Sequence, residues 1–277
     1  MRHLPWLVPV LSMLVAVVSS SSIDAQTSIS ADGVIESKSG GFKFPDGTIQ
    51  DTAAGVGDLC PTLDPSDEMI LVGTVCIDKY EASIWDAPVG GSQIIGATAT
   101  DYCNPNGQDC NDIYARSVAG VEPADNITWF QALAALINSG KRLPTSAEWQ
   151  GAVQGTPDPG ISPESEDCHV GSSPATAEVT GERADCVSRW GHHDMVGNLW
   201  EWVADWGEIA AGCEFWPAGF GDDFACIGVG DGDPVDHRVG VLMRGGRFEN
   251  VGAAGPFAAI SIDPSMALAT VGFRGAR

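Results

Sequence analysis

The sequence predicts an irregular α+β fold: two main helices, short strands and long loops stapled by disulfides. Three observations carry this. TWFQALAALINSGK and LPTSAEWQGAV have helix start signals, the strand-like runs elsewhere are short, and eight cysteines punctuate loops rich in Gly, Pro, Asp and Asn.

Residues 1–25 read as an export signal, with a short basic start, an apolar run through Val18 and small residues before a cut after Ala25. The run is too short and too marked by proline for a membrane span. Residues 26–57 form a Ser/Gly/Thr/Asp-rich stalk or linker, in which alternating runs flank Pro45-Asp46-Gly47, the pattern of a small β-hairpin. GFKFPDGTIQ is similar to connector strands at the base of fibre-like secreted proteins, which opens the prospect of a homo-oligomer through this segment.

From residue 58 to 277 the chain reads as one domain. MILVGTVCIDKYEAS gives short strands, and residues 86–124 give a long loop. In the first helix Thr128 caps and Gln131 returns the bond; Thr145 and Glu148 do the same for the second. Trp129, Leu133, Leu136 and Ile137 are expected on one buried face. Residues 155–190 and 207–238 read as loop, and VLMRGGRF and VGFRGAR as strand-like ends.

The cysteines, at 60, 76, 103, 110, 168, 186, 213 and 226, make no C-x-x-C pair, so zinc knuckles and thioredoxin chemistry lack their signature. Loop-closure entropy favours near neighbours, hence Cys60–Cys76, Cys103–Cys110, Cys168–Cys186 and Cys213–Cys226. Fourteen basic against 37 acidic residues leave a net charge of −23, which repels phosphate backbones and excludes nucleic-acid binding. No G-x-S-x-G elbow, phosphate loop or His-Glu-x-x-His helix is present.

The ordered motifs CIDKYEAS, ITWFQALAALINSGKRLPTSAEW, DMVGNLWEWVADW, LMRGGRF and VGFRGAR resemble the formylglycine-generating enzyme, or sulfatase-modifying-factor, family. That resemblance implies a C-type-lectin-like fold. It also implies an activity, oxidation of a substrate cysteine to formylglycine with copper and oxygen, in which two thiolates hold the metal. The positions matching those cysteines are Asn250 and Gly255, and neither supplies a thiolate, so copper is not expected. Relatives with this fold bind non-haem iron through histidines and a carboxylate, but no His-x3-His-x-Glu spacing occurs here. His192 and His193 read as exposed loop rings rather than a zinc pair.

The resemblance further implies a structural calcium held by Asp194, Gly197, Leu199 and Glu201. A plain turn with Glu201 paired to Arg244 or Arg274 is the competing reading. A second acidic loop, with Asp231, Asp233 and Asp236, reads as a solvated turn. Asn126-Ile127-Thr128 is a formal glycosylation sequon, but Thr128 is committed to its cap. Arg244, Arg247 and Arg274 are expected in pairs with acidic loops rather than in an anion pocket. Trp200, Trp202 and Ala204 should share one strand face and wedge against the helices carrying Trp129 and Trp149. The functional expectation is a secreted, periplasmic or cell-surface module, stabilised by calcium, that binds a protein or glycan without catalysis. An oxidoreductase of the formylglycine-generating type using other ligands is the alternative.

Overall fold

The computed structural model describes four short strands before residue 60, then residues 60–277 apart from 97, 160–166, 172–174, 210–211, 217–222, 229–238 and 251. The expected export signal and the acidic loop at Asp231, Asp233 and Asp236 lie outside the described residues. The chain divides into two compact units, 1–53 and 54–277. In the first, β1 (Thr27–Ile29) pairs antiparallel with β2 (Ile35–Ser37), and β3 (Phe42–Lys43) pairs with β4 (Ile49–Gln50).

In the second unit, β5 (Met69–Val72) and β6 (Val75–Asp78) form a hairpin. The loop expected over 86–124 contains strands: β7 (Ala82–Trp85) pairs with both β8 (Gln93–Ile94) and β9 (Tyr114–Ser117). These strands have two and four residues, too few to show a period among Gly and Asp. Their partner in β7, not their own pattern, makes them strands.

Helix α1 (Trp129–Asn138) opens on a Thr128/Gln131 capping box, and α2 (Ser146–Ala152) on a Thr145/Glu148 box. Each box satisfies two backbone N–H groups that the first turn leaves orphaned. The buried apolar face of α1 is Trp129, Ala132, Ala135 and Leu136; Ile137 is 61% exposed, which corrects the expected face. Ile137 lies one residue from Leu136, about 100° around the helix, and the alanines let the sheet approach on the other side.

Loops after α2 lead into a mixed six-stranded sheet. Its strands are β10 (Trp200–Glu208), β11 (Gly212–Phe215), β12 (Phe224–Gly228), β13 (Val239–Arg244), β14 (Ala259–Ile262) and β15 (Val271–Phe273), ordered β11-β12-β14-β13-β10-β15. Strand β10 pairs antiparallel with β13 and parallel with β15. Two of these strands, β11 and β12, lie within the stretch 207–238 that reads as loop, and β14 follows the Arg-Gly-Gly turn.

β10 separates two apolar clusters. Trp200 and Trp202 pack with Trp129, Ala132, Ala135 and Leu136 of α1, while Val203 packs on the other side with Trp149, Ala152 and Val153. The tryptophan wedge therefore meets α1 alone, and Trp149 lies across the strand from it. The alternation of side chains along a strand makes this unavoidable once Glu201 faces Trp149. Disulfides join Cys60–Cys76, Cys103–Cys110, Cys168–Cys186 and Cys213–Cys226. Ala276 bridges to both Ile77 and Arg142, tying the C-terminal end to β6 and the segment before α2.

Candidate functional site

Glu201, the last residue of the expected calcium loop, is paired with Arg274. Glu201 Oε1 accepts from Arg274 Nη2 at 2.5 Å, and Oε2 accepts from Arg274 Nε and Trp149 Nε1, both at 2.7 Å. The pairing follows from topology, since β15 runs parallel to β10 with Gly272 opposite Glu201, two residues before the arginine. Arg274 also donates from Nη1 to the Asp78 carbonyl at 3.0 Å and from Nη2 to the His193 carbonyl at 2.9 Å. Both side chains of the pair are at most 1% exposed.

Two further carboxyls are buried around this pair. Asp194, with φ of 56°, accepts the Gly181 N–H at 2.7 Å. Glu81 accepts from Asn198 Nδ2 at 2.5 Å and from the Leu199 N–H at 3.1 Å. Burial pushes Asp194 up to about 7, against the pull of the Gly181 N–H and Arg274 and with added repulsion from Glu201 and Glu178. Burial, then repulsion from Asp194 and Glu201, raises Glu81 well above the usual carboxylate range. Burial opposes charge on Arg274, but Glu201, Glu81 and Asp194 more than offset it.

Gly197 makes the turn into β10. Its φ is 77°, and a Cβ there would lie 2.3 Å from the His169 carbonyl oxygen, so only glycine fits. Asp194, Gly197, Leu199 and Glu201 thus follow one loop as expected, but both oxygens of Glu201 are engaged by Arg274 and Trp149. Of the two readings of the loop, the arginine pair is the arrangement observed. Calcium needs six to eight oxygens. Among the described residues no group of three or more His, Cys, Asp or Glu side chains is gathered around a possible metal position.

The positions matching the copper thiolates hold other chemistry. Asn250 closes on Arg247, its Oδ1 accepting the Arg247 N–H at 3.0 Å and its own N–H reaching the Arg247 carbonyl at 2.9 Å. Gly255 leaves room for Asp223: a Cβ at 255 would fall 1.8 Å from Asp223 Oδ1. Asp223 is fully buried and its Oδ2 accepts the Phe257 N–H at 2.6 Å. Burial raises its carboxyl to about 7, with Asp158 adding repulsion while the Phe257 N–H and Arg244 pull the other way. A Cβ at 255 and the Asp223 carboxylate in its present position cannot occupy the same space, so one of them would have to shift.

His192 is fully buried, not exposed, with Nδ1 3.2 Å from Ser188 Oγ. Burial, with Arg274 nearby, pushes it down to about 3. His193 is half-buried and stacks on Tyr80 at 4.9 Å. The reason lies in a bridge between Val187 and His193 that folds the Gly-His-His loop inward. The three expected arginines part company. Arg274 takes Glu201, Arg247 takes the exposed Glu249 at 2.9 Å, and Arg244 lies over Trp149. Arg244 donates to Ser146 Oγ at 2.7 Å and the Ala258 carbonyl at 2.9 Å rather than to a carboxylate.

Sequence reasoning missed Glu81 and Asp223. Glu81 sits in the Asp-Lys-Tyr-Glu run, which reads as a strand tail, and Asp223 lies within 207–238, which reads as loop. Their one signal is a short apolar run directly after each, which draws the acid inward.

Two capped helices, a mixed sheet, four disulfides and this buried arginine–carboxylate centre make up an irregular α+β domain. Residues 67–277 match the model of the sulfatase-modifying factor enzyme 1-like domain, and the chain belongs to that family. It is similar to hercynine oxygenase of Mycolicibacterium smegmatis, 27% identical over 136 residues, covering 45% of this chain and 32% of the relative. It is also similar to formylglycine-generating enzyme of Thermomonospora curvata, 31% identical over 101 residues, 30% of this chain and 33% of the relative. The chain thus spans about a third of the length of these relatives. Among solved structures, the major tropism determinant M1 variant aligns with 78% of this chain and 53% of its own at 21% identity and a TM-score of 0.49.

Proposed function

We propose that this protein is a non-catalytic member of its family, an exported binding or surface-structural module. One observation carries the reading: the Asp223 carboxylate fills the space that a thiolate side chain at 255 would need. Copper(I) is soft and prefers thiolates; the Asn250 amide and the Asp223 carboxyl that stand at those two positions are hard, mismatched donors. Export agrees with four disulfides, which persist in oxidising compartments. No helix among the described residues is long and apolar enough to cross a membrane.

Calcium at the 194–201 loop is part of the proposal in a restricted form. Asp194, Glu201 and the carbonyls of Gly197 and Leu199 would supply oxygens only after Glu201 leaves Arg274. The alternative function, cysteine oxidation with other ligands, is separated by oxygen uptake on a cysteine-containing peptide. No uptake above the peptide's own rate supports the binding reading, and stoichiometric turnover to an aldehyde overturns it.

A further inference from the structure

We propose that the groove between α1, the start of α2 and β10 binds an uncharged sugar ring. The inference deepens the binding-module reading and rests on it. The groove has a volume of about 530 Å³, and Trp129, Leu133 and Trp206 form its apolar floor and wall, with Arg142, Thr145 and Glu148 on its rim. A cleft of that size accommodates one or two pyranose units, and a mostly apolar lining with few polar groups is the usual make-up of a small-ligand site.

Trp206 is placed as a platform. It lies 48% exposed, edge-on to Trp129 with ring centroids 5.0 Å apart at 71°. Trp129 is itself fixed, being buried and donating its indole N–H to the Val203 carbonyl at 3.0 Å. Two other exposed tryptophans spend their N–H groups internally, Trp190 on the Gly151 carbonyl and Trp216 on the Phe257 carbonyl. The Trp206 N–H has no protein partner among the described residues, so it can donate to a ligand hydroxyl while the ring face packs on C–H groups. An indole that is apolar in the ring and polar at one edge suits a ligand with both characters.

The rim supplies oriented polar atoms. Arg142 meets Glu148 in a two-bond fork, 2.7 Å at each arm, and Glu148 is pinned from below by the Thr145 N–H at 2.8 Å. The fork leaves the Arg142 Nε–H and one Nη2–H unused, and Arg142 is 45% exposed. The pair is locally neutral, so it offers donors and acceptors without a net charge. The paired rim supplies no free carboxylate to hold a cation, and an anion meets the field of a chain carrying −23. An uncharged polyol is the class that neither rejects.

Isothermal titration calorimetry and tryptophan fluorescence with cellohexaose, mannohexaose, xylohexaose and chitohexaose test the proposal, with sialyllactose and benzyl alcohol as anionic and apolar comparisons. At least one neutral hexaose should saturate the protein and shift its fluorescence. Trp206→Ala should weaken that binding roughly tenfold or more, the scale of losing an aromatic anchor, with an unchanged melting temperature. Trp190→Phe should bind as the unaltered protein does, and Arg142→Met several-fold more weakly. The proposal is overturned by no saturation with any hexaose at millimolar concentration, by binding that survives Trp206→Ala, or by benzyl alcohol or sialyllactose binding in place of neutral sugars. Oxygen-dependent turnover would instead overturn the non-catalytic reading and leave a Trp206-dependent sugar result standing.

Discussion

Arg274, directly after β15, and Glu201, on the parallel neighbour β10, meet in a fork, with the Trp149 indole N–H closing the third side. The pair is sealed from water, and two more buried carboxyls, Glu81 and Asp194, lean on the same guanidinium. Removing one partner of a buried pair leaves an uncompensated charge, which is costlier than never having built the pair. Arg274→Met should lower stability by roughly 3–5 kcal/mol in urea denaturation. The double variant Glu201→Gln/Arg274→Met should recover part of that loss, and additive losses would show that the two residues are not coupled.

Stability should fall as pH rises from about 4 to 7. Asp194 and Asp223 have ordinary values near 3.8 when unfolded, and both are raised to about 7 in the folded chain. Within that window the folded state holds protons that the unfolded state has released, so each group contributes a slope of roughly −1.4 kcal/mol per pH unit. Their stabilisation is fully present below the unfolded value and is gone above 7. His192, held down to about 3 against an ordinary 6.5, offsets one of these two slopes over much of the same window. Asp64 and Glu148, both lowered to about 2 by the Ser66 hydroxyl and by Arg142 respectively, act oppositely in more acid solution. Asp223→Asn should flatten the slope between pH 4 and 7 in melting experiments; an unchanged slope would remove Asp223 from this account.

Restoring the family's thiol at position 255 should damage the fold. Gly255→Cys drives a Cβ into the Asp223 carboxylate, an overpacking that costs roughly 1–3 kcal/mol. Shortening the opposing group in Gly255→Cys/Asp223→Ala should return most of it. Equal melting temperatures for Gly255→Cys and the unaltered chain would contradict the packing described.

Much of this frame is legible in the sequence. Both capping boxes are written in Thr128/Gln131 and Thr145/Glu148, because a cap is a local exchange of hydrogen bonds over four residues. The cysteine couples are legible for a similar reason, short loop closure. What the sequence hides is set by partners distant along the chain. His192 is buried by a turn that brings Ser188 beside it, and Glu81 is fixed by Asn198 and Leu199, more than a hundred residues away. Trp149 resembles another wedge of the tryptophan cluster until the register of β10 puts Glu201, not Trp202, opposite it.

Calcium should bind only weakly. A cation at Asp194 and Glu201 must first break the Arg274 fork, which places affinity at the weak, millimolar end of the range seen in extracellular modules. EDTA should leave the melting temperature of the unaltered protein in place, and Arg274→Met should bind calcium more tightly than its parent. A strong calcium requirement in the parent would show that Glu201 faces the ion and not the arginine.

The central proposal, that this chain builds no thiolate copper centre at 250 and 255, is tested most directly by titrating Cu(I) under a competing chelator. The account predicts copper far below one equivalent per chain, unchanged in Asn250→Ala and Asp223→Ala. One equivalent held against the chelator and lost in either variant would contradict it.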